Sequence, residues 1–210
     1  MAVPTPTLVY RITHLRNLPW ILEHGICCRS HEIRDPNFMT IGNTEIISRR
    51  DSHSVSIGAG GKLSDYVPFY FCSHSMMLYQ IHTRQVEGCT AVQKDLVFLV
   101  SSLQKFQERR TPFLFTDGHA LMVNTNYFDS LADLNKLDWI TIRSKDFRRR
   151  MDDLDRTRRY QAECLVYNCV PVDALVGIAC FDANCLNDIE DKIKPSGNAI
   201  PVKVKRNWYF

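Results

Sequence analysis

The chain has 210 residues, of which 45% are apolar and 23% charged, with a formal net charge of +3. That length fits one domain with a real core, or one domain carrying a large insertion. So small a net charge excludes polyanion binding by bulk charge, so any nucleic-acid affinity must come from local clusters. Such clusters occur at Arg49-Arg50, Arg109-Arg110, Arg148 to Arg150, Arg156 to Arg159 and Lys203 to Arg206. The plainer reading of each is a solvated surface.

No run of ~18 apolar residues occurs, so no membrane contact is expected. The opening Met1-Ala2-Val3-Pro4-Thr5-Pro6 has neither the basic nor the apolar part of a secretory signal. The eight cysteines (Cys27, Cys28, Cys72, Cys89, Cys164, Cys169, Cys180 and Cys185) are therefore expected as free thiols in a reducing cytoplasm. Cys164, Cys169 and Cys180 sit in apolar runs and read as small core residues. No Cys-x-x-Cys pair occurs and the histidines are scattered, so no metal is expected.

In chain order, Leu8 to Thr13 alternates as a strand does, and Asn17 to Glu23 carries Leu18, Ile21 and Leu22 at helical spacing before Gly25. Residues 27–63 are rich in Arg, Ser, His, Asn and Gly, with weak periodicity, and form a long loop-rich region of the kind that is functional or disordered. Val67 to Cys72 reads as a strand and Ser75 to Ile81 as a helix start. Leu96 to Val100 and Phe113 to Thr116 read as strands, the second followed by the turn Asp117-Gly118. Tyr127 to Leu134 reads as a loop and short helix. Ala162 to Cys169, Ala174 to Phe181 and Ala199 to Lys205 read as three further strands. Short strands with few helices predict an α+β fold rather than a doubly wound sheet. No Gly-x-Gly-x-x-Gly follows a strand, Gly58 to Gly61 lacks the Lys-Ser/Thr of a P-loop, and no nucleophile elbow is present.

The most informative stretch is Arg156-Thr157-Arg158-Arg159-Tyr160-Gln161-Ala162-Glu163-Cys164-Leu165-Val166-Tyr167. A basic run ends in one acid that opens an apolar strand. A carboxylate there can face a bound cation while arginines hold a polyanion, although charged runs before edge strands usually just face water. Four blocks stand in order with it: Tyr10-Arg11-Ile12-Thr13-His14-Leu15-x-Asn17-Leu18, then Arg49-Arg50, then Asp65-Tyr66-Val67-Pro68-Phe69-Tyr70-Phe71-Cys72-x-x-Ser75-x-Met77-Leu78-Tyr79, then Arg159-x-Gln161-Ala162-Glu163. Between the last two lies Phe113-x-Phe115-Thr116-Asp117-Gly118-His119-Ala120.

Over nearly the whole chain these blocks resemble the DarT family of DNA ADP-ribosyltransferases, the toxins of DarT–DarG toxin–antitoxin pairs. The resemblance implies a single ADP-ribosyltransferase domain over residues 1–210, with a split β-sheet core and an NAD+ cleft. It implies NAD+ as co-substrate, no metal, transfer of ADP-ribose to a base in single-stranded DNA that blocks replication, and a DarG-type antitoxin of macrodomain or NADAR type. The catalytic glutamate falls on Glu163 and the catalytic arginine on Arg50. Arg11, Thr13, His14, Asn17, Tyr70 and Ser75 fall at cofactor-binding positions. Arg49, Arg148, Arg149, Arg158 and Arg159 are expected on DNA. Residues 27–63 match the NAD-covering, DNA-contacting insertion, and residues 148–161 the substrate-recognition loop. One position departs: many thymidine-modifying members carry His where this chain has Arg11. The acceptor is guanine or thymine, and Arg11 tilts the reading slightly toward guanine.

The chemistry suits these residues. Breaking the nicotinamide bond builds positive charge on a ribose, which a carboxylate such as Glu163 offsets; the same group can take the proton of the attacking base. The Arg11 fork suits oxyanions, and Tyr70 and Tyr79 offer stacking faces. The plainer readings are that Tyr70 is a core residue, His14 a structural histidine and Ser75 a helix cap. A same-fold transferase acting on protein or RNA, or a non-catalytic nucleic-acid-binding domain, are the competing readings; the joint presence of Glu163, Arg50 and Arg11 speaks against the last.

Overall fold

The computed structural model describes residues 2–210. The chain begins with strand β1 (Leu8–His14) and helix α1 (Leu18–His24), which starts with Pro19 in its first turn and stops at Gly25, φ +80°. A Cβ at Gly25 would lie 2.5 Å from the Val170 carbonyl oxygen, so only glycine lets the chain turn here. The two-residue strand β2 (Ile26–Cys27) follows, and then helix α2 (Thr44–Arg50), whose first turn is capped by the Asn43 side chain accepting from Ile46 N. Next come β3 (Tyr66–Tyr70), α3 (Met76–His82, capped by Ser75), β4 (Leu96–Ser102) and α4 (Leu103–Glu108). The second half holds β5 (Phe113–Thr116), β6 (Tyr127–Phe128), α5 (Trp139–Arg143), α6 (Arg156–Tyr160), β7 (Glu163–Tyr167), β8 (Cys169–Val170), β9 (Gly177–Cys180), α7 (Ala183–Ile193) and β10 (Val202–Val204).

Eight strands form one sheet in the order β10-β9-β4-β1-β3-β7-β5-β6, and β2 pairs with β8 in a second sheet of two. All neighbours are antiparallel except β9 and β10. Side chains alternate across a strand, and the cores follow. Val97 and Leu99 of β4 with Cys164 and Val166 of β7 enter one large cluster, closed over by α1, α4, α5 and α7. On the opposite face the core is in two pieces. Ile12, Leu96, Phe98 and Val100 pack under α3 and Tyr209, while Tyr66, Leu114 and Leu165 pack with Val55, Leu63 and Leu121.

The register explains this division. β1 holds β4 through seven residue pairs, from Leu8↔Ser102 to His14↔Leu96, but meets β3 only at Tyr10↔Tyr70. Past that pair the strands part, and the sheet splits at its middle. Asn17 keeps the segment beside the split in place: its amide donates to Thr13 Oγ1 and the Met39 carbonyl and accepts from Met39 N.

Several sequence expectations are corrected. The region 27–63 contains the regular helix α2, hidden because none of its residues is fully buried. The strand expected over Ala162 to Cys169 breaks at Asn168, φ +64°, into β7 and β8. The strand expected from Ala174 starts at Gly177, since Val172–Ala174 form a 3-10 turn. Tyr127-Phe128 is a short strand, followed by a 3-10 helix. Helices α4 to α7 had no expectation; three of them have six residues or fewer, too short to show a period.

Phe106 of α4 is fully buried between Phe69 and Phe113, with ring centroids 5.6 and 5.9 Å away. Phe106→Ala is expected to cost about 3–5 kcal/mol, read as a lower urea midpoint at unchanged slope.

Candidate active site

Glu163 opens β7 and is 2% exposed. Its backbone N–H donates to Thr116 Oγ1 at 3.1 Å, and that hydroxyl donates to the Gly118 carbonyl, so the end of β5 fixes the start of β7. The carboxylate is held from two sides. Ala120 N–H donates to Oε1 at 2.9 Å and Arg50 Nη1 to Oε2 at 2.9 Å. Burial alone would raise the Glu163 pKa, but the Arg50 charge, then His119 and the two hydrogen bonds, outweigh it and hold the carboxyl below the usual range. The group is an anion at neutral pH.

Arg50 ends α2, where a cation suits the helix carbonyls. Its side chain is 12% exposed, and its Nη2 is buried without a partner. Such an orphan donor costs free energy unless something accepts from it. Arg50 lines a cleft of about 350 Å³ that follows the split, together with Arg11, Thr13, Tyr66, Val67 and Pro68 from the diverging strands. Arg11 crosses the gap and donates from Nη1 to the Pro68 carbonyl at 2.9 Å. Burial lowers its guanidinium to about 10, which leaves it charged. The far wall comes from α1 and the insertion, with Trp20, Cys27, Arg29, Arg34 and Phe38. An anionic dinucleotide fits this lining: two half-buried arginines with spare donors, an apolar wall, Tyr66 on one side and Trp20 and Phe38 on the other.

The remaining expected cofactor residues divide. Tyr70 is the cross-strand partner of Glu163, and burial, followed by the Glu163 charge, pushes its hydroxyl up. Thr13 lines the cleft. His14, Asn17 and Ser75 do not. His14 alternates away from Arg11 and Thr13 and accepts from Arg16 N. Asn17 tethers Met39, and Ser75 caps α3 by accepting from Leu78 N. Structural bonds use these three polar groups, which is why they are retained away from the cleft. Tyr79 packs against Phe147 and Phe210, at ring centroid distances of 5.1 and 5.3 Å.

The arginines expected on DNA also divide. Arg158 is 10% exposed at its side chain and bridges Asp117 and Asp155, at 2.7 Å to each. Arg159 meets Asp138, Asp153 and Asp155 at 2.9, 2.8 and 3.2 Å. Both are engaged by carboxylates of the chain itself: Arg158 ties the segment before Glu163 to the turn after β5, and Arg159 ties it to Asp138 at the start of α5. Arg148 is exposed but shares Asp146 with Arg150. Arg49 and Arg149 are exposed and make no ion pair among the described residues.

The 117–120 turn, which the sequence motif leaves without a role, carries one. Gly118 sits where a Cβ would be 2.5 Å from Arg158 Nη1 and 3.0 Å from its carbonyl oxygen. His119 Nδ1 accepts from Leu121 N, and burial, against the pull of Glu163, keeps the ring below its usual pKa. Tyr127 donates to the Ala120 carbonyl, and burial, then the Glu163 charge, pushes its hydroxyl up to about 12. No group of three or more His, Cys, Asp or Glu among the described residues is placed to hold a metal ion.

Residues 10–210 match the family model described as DarT, ssDNA thymidine ADP-ribosyltransferase. A DNA ADP-ribosyl transferase of Escherichia coli O127:H6 (strain E2348/69 / EPEC) is 38% identical over 207 residues, 99% of this chain and 95% of that protein. The DarT of Thermus sp. 2.9, at 31% identity, superposes with a TM-score of 0.93 in its complex with ADP-ribosylated ssDNA, over 100% of this chain and 99% of that one. Its complex with NAD+ superposes at 0.89, with full coverage of both. A DNA ADP-ribosyl transferase–DNA ADP-ribosyl glycohydrolase fusion protein of Thermosipho africanus (strain H17ap60334) is 26% identical over 96% of this chain and 49% of the fusion. The split sheet and its cleft are therefore those of the ADP-ribosyltransferase fold, as the sequence led us to expect. The chain belongs to the DarT family and is an NAD-dependent DNA ADP-ribosyltransferase.

Arg158→Ala removes the ion pair of Asp117 and one of the two held by Asp155, and is expected to cost on the order of 1–3 kcal/mol. Gly118→Ala should destabilise through the same contact, and thermal unfolding reads both. Arg149→Ala, at an exposed position, should leave the melting temperature unchanged.

Proposed function

We propose that this protein transfers the ADP-ribosyl group of NAD+ to a thymine base in single-stranded DNA, with Glu163 and Arg50 as the catalytic pair. The observation that carries this is the buried Arg50–Glu163 ion pair, with one Arg50 nitrogen left buried and unpartnered in a residue that lines the cleft. NAD+ supplies an ADP-ribosyl group on a cleavable bond to nicotinamide, and positive charge grows on the ribose as that bond breaks. Glu163 offsets that charge from a fixed, water-poor position, where it acts more strongly than in solution. The low basicity that Arg50 imposes makes Glu163 first an electrostatic stabiliser. It is still base enough to take the proton that the acceptor nitrogen sheds once it has become cationic. Arg50 Nη2 donates to the bound reactants and orients them against the carboxylate. Arg11 and Thr13 hold the co-substrate along β1, and Tyr70 packs beside the reacting centre.

Thymine is favoured over guanine by the family description. Arg11, which had tilted the sequence reading to guanine, is engaged on the Pro68 carbonyl within the cleft, a place suited to co-substrate oxyanions rather than to reading a base. Residues 27–63 cover the NAD+ cleft, and residues 148–161 read the acceptor. Arg49, Arg148 and Arg149 supply phosphate contacts, which give affinity that falls with salt. Single strands are the substrate because a base in a duplex is stacked and paired. In the cell the modified DNA blocks replication in the cytoplasm, and a DarG-type antitoxin reverses the modification; the relative that joins a transferase to a DNA ADP-ribosyl glycohydrolase in one chain favours a glycohydrolase as that partner.

The test incubates the protein with NAD+ and oligonucleotides each lacking one base, single- and double-stranded, followed by mass spectrometry. ADP-ribose is expected only on single strands that contain thymine; label on thymine-free DNA, on RNA or on protein would sink the acceptor assignment. Glu163→Gln should lower kcat at least ~100-fold with the fold intact by circular dichroism. Because the Glu163 pKa is held down, the acid limb of kcat should lie below the ordinary glutamate value of about 4.3. The pair's stabilisation is likewise present above that value and lost as pH falls through the lowered one. In Arg50→Ala burial would be opposed only by His119 and the Ala120 hydrogen bond, and the limb should move to higher pH in what activity survives.

A further inference from the structure

The split explains why the insertion matters, and the root of that insertion carries chemistry that the transfer reaction does not use. β2 and β8 form a sheet of only two residue pairs, Ile26↔Val170 and Cys27↔Cys169. Cys28 N donates to the Asn168 carbonyl at 2.8 Å, so the 28–168 position is the hydrogen-bonded one and 27–169 is the close, non-hydrogen-bonded one. Cα atoms at such a position stand about 4.5 Å apart, within the span a disulfide bridges. The two sulfurs lie 3.4 Å apart, and both thiols point at the His24 carbonyl, at 3.8 and 3.7 Å. Both are free and half-buried. Cys28 is turned away and pairs with Ser30 Oγ. Cys27 lines the cleft and Cys169 does not.

We propose that Cys27 and Cys169 are a peroxide-responsive thiol pair whose disulfide pins the root of the insertion and restricts entry of NAD+ to the cleft. The Cys27 thiol, on the cleft side, ionises and attacks one oxygen of hydrogen peroxide; the O–O bond breaks, giving a sulfenic acid at Cys27 and a hydroxide that takes up the proton Cys27 shed, forming the first water. The Cys169 sulfur then attacks the Cys27 sulfur. The S–S bond forms, and hydroxide leaves with the Cys169 proton as the second water. Two thiols lose two electrons and the peroxide gains them. Burial, reinforced by Cys27, raises the Cys169 pKa, which suits it to resolve rather than to start the reaction. Closing 3.4 Å to the ~2.05 Å of a disulfide turns the Cys27 sulfur toward Cys169 and locks the two-residue ladder covalently. It also fixes the residue from which Cys28, Arg29, Arg34 and Phe38 of the cleft depend. A cytosolic disulfide of this kind is transient and regulatory rather than structural. The effect on NAD+ rests on the function proposed above, whereas formation of the bond does not.

The experiment treats the full reduced chain with a small excess of hydrogen peroxide. Peptide mass mapping should find the 27–169 crosslink, reversed by dithiothreitol, and hydrogen exchange at residues 28–34 should slow. KM for NAD+ should rise roughly three- to tenfold, the scale of a slight misplacement of the cleft wall, with kcat unchanged. Cys169→Ser, which leaves the cleft lining intact, should keep basal activity and show none of these changes under the same peroxide. A different cysteine pairing, sulfinic acid at Cys27 without a crosslink, or a crosslink that alters neither exchange nor KM, would overturn the proposal. Complete absence of NAD+ turnover in the reduced protein would instead count against the transferase reading, with the mapping and exchange still deciding the thiol chemistry.

Discussion

The ion pair between Arg50 and Glu163 is the constraint around which the rest of the site is arranged. A carboxylate 2% exposed is tolerable only with a partner and with its lone pairs used. One partner arrives at the end of a helix in the insertion, and the other is a backbone amide in the turn after β5. Those two elements are far apart in sequence, and their neighbours share one apolar cluster with β5 and β7. The pair thus does more than hold a charge: it sets where the insertion must lie against the sheet for the cleft to exist. It also leaves an arginine nitrogen that nothing in the protein satisfies.

The split itself has a plain cause. β1 is fully committed to β4 and touches β3 at one pair. A continuous core under one face keeps the two halves in a single body, while the other face is divided into two clusters. Backbone groups released where β1 and β3 part are available to side chains such as Arg11, which takes the Pro68 carbonyl. The cleft is therefore a failure of strand pairing that the protein keeps open with arginines.

Much of this was legible in the sequence. The strands Leu8–His14, Leu96–Ser102 and Phe113–Thr116 have strong apolar patterns and lie where the pattern puts them. Ser75 and Gly25 mark helix ends by chemistry that is local and so readable. Glu163 was recognisable as an acid at a strand mouth, and the matching blocks led to the family. What could not be read was which polar groups were already taken. Arg158 and Arg159 read in the sequence as a free basic run, but Asp117, Asp138, Asp153 and Asp155 are brought to them from 3 to 41 positions away. His14, Asn17 and Ser75 have the right residue types for a cofactor site, but each is used by a nearby backbone group. Residue type gives the capacity for a bond; only the fold says where that capacity is used.

The loop before β7 has two parts with separate duties. Its root, from Asp153 to Arg159, is riveted to the turn that presents Ala120 to Glu163. Its tip carries Met151, 94% exposed, with Arg149 nearby, and gives no hydrogen bond to the acid, whose carboxylate partners are Arg50 and Ala120. The catalytic geometry is thereby insulated from the tip's sequence. Residues at the tip can therefore change without disturbing the carboxylate, and a designer can exchange the tip as a cartridge while leaving the aspartate-bound root untouched.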